Sequence, residues 1–442
     1  MTELLQQEAP PEQIGPTSAW TPLRFHPIQS QLWTCKKRFV AVPAGRGSGK
    51  TELAKRRLVR FLPVQKAWED PRYFYGAPTY EQAKRIAWDH LLRLIPENWI
   101  AGSPSHSELV IRTVFGSELW VVGLDKPARV EGVQWDGCVI DESCDIKPGT
   151  FDRNVLPALS WRDAWCWRIG VPKRHGIGVA EYREFFQRAA AGELENAAGF
   201  TWPSEGIVPQ AALDHAKQHM DIKDFREQFE AKFETAGGQI FFAYTEEYNV
   251  RPVTYRPDKA IVVGSDFNVD PMAWVIGHRW LDRFEVFDEL WMRNTNTMAA
   301  LDVLYQRYQD HQAGFEFYGD ATGRARKTSA VETDYLIIAN DERFKRLGRS
   351  IHYPEKNPAV QDRFAACNAM FRNAAGDCRL FIDPRCKHLK DDLQMRGYKP
   401  GSRDPDDSGD VGHITDALGY IISLLYPIRV RIATSRLEVT TT

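Results

Sequence analysis

A glycine-rich turn between an apolar strand and a helix limits the folds open to this chain more than any other segment. The turn reads Ala44-Gly45-Arg46-Gly47-Ser48-Gly49-Lys50-Thr51, after a predicted strand at 38–42 and at the start of a helical pattern. Glycines let backbone N–H groups surround phosphate oxygens, a lysine reaches the β- and γ-phosphates, and a Ser or Thr hydroxyl binds Mg²⁺. The stretch therefore predicts a nucleotide-binding loop, with Ala44 in place of the usual first glycine.

An apolar strand that ends in two acids supplies the partner of this loop. In Cys138-Val139-Ile140-Asp141-Glu142, we expect Asp141 to hold Mg²⁺ together with Thr51, and Glu142 to orient and deprotonate the attacking water. Adjacent acids at a strand end also cap helices, but their pairing with the loop favours an ATPase. The predicted nucleotide-binding residues are Gln29, Gly45, Arg46, Gly47, Ser48, Gly49, Lys50, Thr51 and Asp141.

We predict roles in nucleotide binding or hydrolysis for three further side chains around this loop. The amide of Gln29, shortly before the loop, is placed to bind the adenine edge, with a surface glutamine as the alternative. Arg46 projects from the loop and is expected on the γ-phosphate. Arg129 is a candidate arginine finger, acting in cis or across a subunit interface, and a solvated salt-bridge arginine is the alternative.

The second half of the chain carries three separated acids at strand or helix ends. Asp266 and Asp320 each follow an apolar strand-like run, and Asp416 lies at the start of the last predicted helix. Carboxylates that converge in this way bind two Mg²⁺ or Mn²⁺ ions roughly 4 Å apart, one to generate hydroxide and one to stabilise the leaving 3′ oxygen. Turn capping by each Asp is the alternative. Candidate additional ligands or supporting groups are Glu289, Asp410 and His413.

Basic and sulfur-containing residues form further candidate sites. Arg324, Arg326 and Lys327 follow Asp320 closely and are expected to hold a phosphate backbone. By contrast, Lys55-Arg56-Arg57 is predicted on a solvated helix face. The loose cluster of Cys378, Cys386 and His388 favours ordinary packing over metal binding.

Composition excludes several classes of protein. The 442 residues are 43% hydrophobic, which excludes an intrinsically disordered chain, and no apolar run is long enough to span a membrane. The 57 Lys and Arg against 59 Asp and Glu exclude coating of nucleic acid by bulk charge, although a local basic groove remains compatible. Seven cysteines without a C-x-x-C pair, and a polar amino terminus unlike a signal peptide, predict a reducing, cytoplasmic compartment.

The order of strands and helices predicts an α/β fold class with two main domains. The predicted segments are a tail at 1–22, a P-loop core with a mainly parallel sheet at 23–204, a polar lid or linker at 205–250, a second α/β domain at 251–428, and a tail at 429–442. Strands are predicted at 38–42, 73–75, 109–113, 118–122, 137–140, 166–170, 260–264, 273–277, 284–287 and 315–318. Helices are predicted at 80–94, 179–191 and 298–311, with a last one beginning near 414.

From about Phe25 to Tyr426 the chain resembles the large terminase subunits of tailed bacteriophages. The loop at 45–51 and the strand ending in Asp141-Glu142 match the ATPase half of that family. Ile169-Gly170-Val171-Pro172 looks like the family's coupling motif, although Val171 stands where a Thr or Ser is usual. In the second half the matching motifs are Gly264-Ser265-Asp266-Phe267-Asn268-Val269-Asp270-Pro271-Met272, Tyr318-Gly319-Asp320-Ala321 and His413-Ile414-Thr415-Asp416-Ala417-Leu418.

The resemblance implies an RNase H-like nuclease domain after the P-loop domain, with Asp266, Asp320 and Asp416 as metal ligands. It implies ATP-driven movement of double-stranded DNA into a procapsid and metal-dependent cutting of concatemeric DNA. ATP and Mg²⁺, with Mn²⁺ as a second option at the nuclease site, would be the cofactors. The implied partners are the portal protein, the small terminase subunit and further copies in a ring, typically a pentamer, in which Arg129 acts in trans. The implied location is the host cytoplasm, at the procapsid portal and without membrane association.

Two other functions are compatible with the motifs. A helicase-nuclease of DNA repair or restriction would need a second RecA-like lobe, where this chain has acids instead. An assembly scaffold that binds nucleotide and DNA without cutting would not need the three carboxylates.

Overall fold

In this computed structural model the chain divides into two compact units, Met1–Ile207 and Val208–Thr442. The structure describes residues 25–234, 238–324, 333–399, 402 and 404–428. The predicted tails at 1–22 and 429–442, and the predicted phosphate contacts Arg326 and Lys327, lie outside these ranges. Most of the region predicted as a lid or linker, 205–250, belongs to the second unit. No helix in the described ranges is long and apolar enough to cross a membrane.

The first unit is built on a seven-stranded sheet. Its strands are β1 (Phe39–Pro43), β2 (Arg72–Ala77), β3 (Val110–Arg112), β4 (Glu118–Gly123), β5 (Gly137–Ile140), β6 (Trp165–Gly170) and β7 (Ala197–Gly199). They lie in the order β3-β4-β2-β5-β6-β1-β7, and every neighbouring pair is parallel except β3 and β4. The six strands predicted from sequence are confirmed, and β7 is an addition.

Helices cover this sheet, as a parallel sheet requires on both faces. They are α1 (Pro27–Thr34), α2 (Lys50–Phe61), α3 (Tyr80–Ala83), α4 (Asp89–Leu94), α5 (Leu156–Ser160) and α6 (Val179–Ala190). A π-helical turn, Lys84–Trp88, joins α3 to α4, so the helix predicted at 80–94 is confirmed with an irregular centre.

The helix that follows the glycine-rich loop is almost fully enclosed. Gly49 precedes α2 with φ of 83°, a conformation that glycine adopts without steric cost. The prediction that Lys55, Arg56 and Arg57 face solvent is wrong, since they are only 6%, 3% and 6% exposed. Their stems pack within the unit, and Arg56 pairs with Glu52 one helical turn earlier. Helical spacing in the sequence predicts one buried and one exposed face, whereas both faces of α2 are covered in the fold.

The second unit contains a six-stranded mixed sheet. Its strands are β8 (Ile261–Asp266), β9 (Met272–Arg279), β10 (Phe284–Met292), β11 (Phe315–Gly319), β12 (Arg349–His352) and β13 (Leu380–Ile382). The order is β12-β11-β8-β9-β10-β13, with β9 antiparallel to both β8 and β10 and the other pairs parallel. Its helices are α7 (Gln210–His219), α8 (Ile222–Gln228), α9 (Glu246–Asn249), α10 (Thr297–Tyr308), α11 (Asp334–Asn340), α12 (Glu342–Leu347), α13 (Val360–Phe371), α14 (Lys387–Met395) and α15 (His413–Leu425).

A glycine on β8 allows the last helix to approach this sheet closely. A Cβ on Gly264 would lie 2.5 Å from the carbonyl oxygen of Ala417, so no larger residue fits there without a shift. The apolar face of α15, including Ile414, Leu418 and Ile421, is buried in the same core. This contact brings the first turn of α15 towards the end of β8.

Candidate active sites

The glycine-rich loop is held by backbone and side-chain contacts from later segments. Ala44 N donates to Gly170 O at the end of β6, and Gly45 N donates to Trp202 O, each at 3.0 Å. The Trp202 indole N–H donates to Ser48 O at 3.0 Å. The positive φ angles fall on Gly47 and Gly49, at 70° and 83°. The alanine at position 44 is therefore compatible with the loop, because its backbone continues the strand.

Lys50 is the first residue of α2, and its side chain folds back onto the loop. Its side chain is 7% exposed, and Nζ donates to Gly45 O at 3.2 Å. Burial lowers the pKa of Lys50, while the nearby carboxylates of Asp141 and Glu142 oppose that shift. The ammonium group is thus confined to the space that the loop encloses, as a phosphate-binding lysine requires.

Thr51 and Asp141 are brought together as the sequence predicted. Thr51 Oγ1 donates to Asp141 Oδ2 at 3.0 Å, and the Tyr75 hydroxyl donates to the same oxygen at 2.5 Å. Burial raises the pKa of Asp141, and the neighbouring charge of Glu142 adds to the rise. A hydroxyl and a carboxylate are the hard oxygen donors that Mg²⁺ prefers, so this pair fits the ion. Tyr75 was not foreseen, because a tyrosine within an apolar strand looks like core.

Glu142 is held by a lysine that the sequence did not identify. Lys173 Nζ donates to Glu142 Oε2 at 3.1 Å and to Asp145 Oδ2 at 2.5 Å. Burial works to lower the pKa of Lys173, but the two carboxylates outweigh it and hold the pKa above its ordinary value. Glu142 itself has a left-handed backbone, with φ of 50°. The sequence offered one indication of a role for Lys173, which is that it directly follows the segment Ile169-Gly170-Val171-Pro172.

The three other residues predicted near the loop, Gln29, Arg46 and Arg129, differ in their contacts. The Gln29 amide donates to Ser48 O at 2.8 Å and so braces the loop. Arg46 is exposed, and its charge works to lower the pKa of Lys50. Arg129 lies 3.7 Å from Asp125 and stacks on Tyr80 with 5.3 Å between guanidinium and ring centre. Adenine, γ-phosphate and finger roles for these three residues remain predictions.

Two of the three predicted acids of the second unit lie at adjacent strand ends. Ser265 pairs with Gly319 where β8 and β11 run parallel, so Asp266 and Asp320 follow at adjacent strand ends. Burial raises the pKa of Asp266, His413 opposes the rise, and the charges of Asp416 and then Asp320 add to it.

His413 and Asn268 surround the first of these acids. His413 Nδ1 lies 3.0 Å from Asp266 Oδ2, and the Asn268 amide donates to the same oxygen at 2.8 Å. The Asp266 carboxylate raises the pKa of His413 above its ordinary value. His413, a candidate ligand from sequence, is therefore a direct partner of Asp266.

Asp416 is paired with two arginines that the sequence did not identify. Arg363 Nη1 and Arg396 Nη1 each donate to Asp416 Oδ1 at 3.0 Å, and Arg396 is only 1% exposed. In the ranges that the structure describes, no group of three or more His, Cys, Asp or Glu side chains is arranged to hold a metal ion. Three carboxylates suit a divalent cation chemically. Asp416, however, is engaged by arginines in this arrangement.

The remaining candidate ligands have other partners. Glu289 accepts hydrogen bonds from the backbone N–H groups of His388 and Leu389, at 2.9 and 3.0 Å, and so caps α14. Asp410 accepts from Arg293 Nη1 at 3.0 Å. The side chain of Arg324 lies outside the described part of the chain.

Comparison with known proteins gives relatives in sequence and in fold. No family model matches the chain. It is 25% identical over 279 residues to the large terminase subunits of Thermus virus P23-45 and Thermus phage G20c, matching 53% of this chain and 55% of each relative. The matched part therefore spans about half the length of these curated relatives.

The solved structures extend the likeness to the whole fold. The large terminase of a thermophilic bacteriophage matches with a TM-score of 0.55 and 14% identity, covering 91% of this chain and 99% of that one. The complex of that terminase with ADP matches with a TM-score of 0.52 and the same identity, over 90% and 99%. The α/β fold class expected from sequence is confirmed. The chain is therefore similar in sequence to the large terminase subunits of two Thermus phages, and it shares the fold of the large terminase of a thermophilic bacteriophage.

Proposed function

We propose that this chain hydrolyses ATP to move double-stranded viral DNA into a procapsid, and that it cuts concatemeric DNA at a second, metal-dependent site. The observation that carries the proposal is the presence of two separate sites on one chain. In support, the first unit has a braced glycine-rich loop in which Thr51 contacts Asp141. The second unit has Asp266 and Asp320 at adjacent strand ends, and Asp416 in the first turn of the helix that packs on β8.

At the first site each side chain has a defined task. The loop and Lys50 bind the phosphates, while Thr51 and Asp141 would hold Mg²⁺, which neutralises phosphate charge when bound. Glu142 accepts a proton from the attacking water, and Lys173 fixes the direction of its carboxylate. Asp145 shares that lysine, so the position of Glu142 depends on the local structure after β5.

At the second site Asp266, Asp320 and Asp416 would hold Mg²⁺ or Mn²⁺, which supplies an activated water and stabilises the leaving oxygen. His413 and Asn268 fix the orientation of Asp266 through its Oδ2 atom. Arg363 and Arg396 fix Asp416 and keep positive charge next to it.

Two variants of the full chain separate the two activities. Lys50→Ala should abolish ATP hydrolysis while it spares Mn²⁺-dependent cutting of plasmid DNA, and Asp266→Ala should do the reverse. Metal-dependent cutting that survives Asp266→Ala would remove the assignment of the nuclease site. Retained ATP hydrolysis in Lys50→Ala would remove the assignment of the loop.

The working assembly is proposed as a ring of five copies of this chain, docked on a portal protein with a small terminase subunit in the host cytoplasm. Arg129 would then reach the nucleotide of a neighbouring copy. The isolated chain can be monomeric, so Arg129→Ala should be tested on motors assembled on procapsids. If Arg129→Ala packages DNA at the parent's rate, the finger role is wrong.

The competing functions predict different products. A helicase-nuclease would separate the strands of a forked duplex in the presence of ATP, and this chain should not. A nucleotide-binding scaffold would give no linear DNA at any Mg²⁺ or Mn²⁺ concentration, and this chain should give it.

A further inference from the structure

A basic cavity lies in the first unit, at the edge of the sheet opposite the nucleotide loop. Its volume is about 550 Å³, and Arg38 and Trp165, at the amino-terminal ends of β1 and β6, contribute to its wall. Five cations line it, namely Lys36, Lys37, Arg38, Arg57 and Arg60, against one acid, Asp163. The nucleotide loop follows the carboxyl end of β1, so the two sites are separate.

Arg57 is a buried cation without an anionic partner in the described part of the chain. It is 6% exposed, and its Nε makes no hydrogen bond there. Aromatic rings surround its guanidinium carbon, which lies 4.8 Å from the ring centre of Trp165 and 4.5 Å from that of Trp167. Burial lowers the pKa of Arg57 to about 10. An unpaired buried charge destabilises a fold, and an anionic ligand would relieve that cost.

The other cations of the cavity divide into two groups. Arg38 is satisfied, because it donates to Ala164 O and Leu159 O and pairs with Asp163 at 3.1 Å. Lys37 donates to Glu195 O at 2.6 Å. Lys36 and Arg60 are exposed and have no carboxylate partner among the residues that the structure describes, although Arg60 stacks on Trp33 at 5.0 Å. Arg57, Arg60 and Lys36 therefore have no carboxylate partner in the described part of the chain, and the one acid, Asp163, is paired with Arg38.

We propose that this Arg57 pocket binds a phosphate group, with the guanidinium of Arg57 as its central ligand and Arg60 and Lys36 at its rim. The planar fork of an arginine matches two phosphate oxygens. A terminal phosphate carries close to two negative charges at neutral pH, which calls for more than one cation. A single carboxylate needs less charge than the pocket offers. A backbone phosphate of DNA carries one negative charge, so two neighbouring phosphates of a strand would supply the pocket with the same charge as one free phosphate.

The site is distinct from the nucleotide loop although one helix carries both. Lys50 begins α2 and Arg57 lies seven residues later, about 10 Å further along the helix axis. Phosphate binding at Arg57 is independent of ATP hydrolysis and of DNA cutting. It adds an anion site to the first unit.

The test uses the full chain with Lys50→Ala, so that the nucleotide loop contributes little phosphate binding. Titration calorimetry measures inorganic phosphate, and fluorescence anisotropy measures a labelled DNA duplex at about 50 and 200 mM salt. We expect saturable binding that Arg57→Met weakens by about tenfold or more. The matched control, Arg188→Gln, removes an exposed arginine of α6 and should leave the Kd within about twofold.

A second variant guards against misfolding of Arg57→Met, whose thermal unfolding is measured in parallel. Lys36→Gln with Arg60→Gln changes only exposed rim residues and should weaken binding by about threefold or more. If only inorganic phosphate binds, the ligand of the pocket is a free phosphate. If DNA binds and its affinity falls steeply with salt, the ligand is a phosphate of the DNA backbone. The proposal is overturned if both sets of variants keep the parent Kd, or if polyglutamate binds more tightly than either phosphate ligand.

Discussion

The Nζ atom of Lys173 lies 3.1 Å from Oε2 of Glu142, so the expected catalytic base of the ATPase site is held by a lysine from beyond β6. The contact joins the end of β5 to the segment after β6, two neighbouring strands of the sheet. A change in that segment will therefore move the carboxylate that we propose as the base for water.

Lys173→Met should reduce the rate of ATP hydrolysis more than it reduces nucleotide binding. The substitution keeps the aliphatic stem but frees the Glu142 carboxylate, so we expect kcat to fall about ten- to a hundredfold, with KM within about threefold. Steady-state hydrolysis by the full chain measures both. Lys147→Met, which removes an exposed lysine nearby, is the matched control. Equal losses in the two variants would contradict an orienting role.

Arg396→Met should destabilise the second unit strongly. The buried guanidinium donates to the carbonyl of Gly412, to the partly buried Asp416 and to the exposed Asp407. Because only part of this arrangement is buried, we expect a loss of about 2–3 kcal/mol, below that for a fully buried pair. Chemical denaturation, followed by a probe in the second unit, measures the change. Arg293→Met breaks an exposed pair with Asp410 and should leave the stability nearly unchanged, so similar losses would refute the distinction.

Gly264→Ala should separate nuclease activity from ATPase activity. The added Cβ meets Ala417 O at 2.5 Å, which forces α15 and its Asp416 away from β8. We expect a loss of about 1–3 kcal/mol in stability and at least about tenfold in DNA cutting, with ATP hydrolysis retained. Gly397→Ala is the control, because its Cβ would make only an ordinary contact at 3.6 Å. Full cutting activity in Gly264→Ala would show that the close approach is not needed.

His90 should make the first unit less stable in mild acid. Burial, together with the charges of Lys55 and Arg93, lowers the pKa of His90 to about 4. The unfolded chain has a His pKa of about 6.5 and so binds a proton that the folded chain excludes. The stability that neutral His90 contributes to the folded chain is present above about pH 6.5 and is lost progressively as the pH falls towards 4.

The measurement for His90 is calorimetric unfolding of the parent and of His90→Gln between neutral pH and about pH 5. The parent should lose up to about 2 kcal/mol more than the variant over this range. Parallel loss in the two proteins would mean that other groups account for the acid sensitivity. The Nε2 atom of His90 lies 3.2 Å from Glu52, a contact that neutral histidine makes as a donor.

Local sequence was enough to predict the glycine-rich loop, because seven adjacent residues carry its pattern, and the strand before it and the helix after it are confirmed. It also predicted Asp266 and Asp320 at strand ends and Asp416 at a helix start, and these positions are confirmed. These predictions depend on backbone geometry that short segments specify.

How those groups are held and charged depends on contacts that form only in the folded chain. Tyr75 reaches Asp141 because β2 pairs with β5, and Arg396 reaches Asp416 across the packing of α14 and α15. Arg57 is enclosed by aromatic residues of β6, whereas the sequence predicted that it would lie on a solvent-exposed face of its helix. Such contacts join residues far apart in the chain, and they depend on strand register and helix packing, which local spacing does not encode.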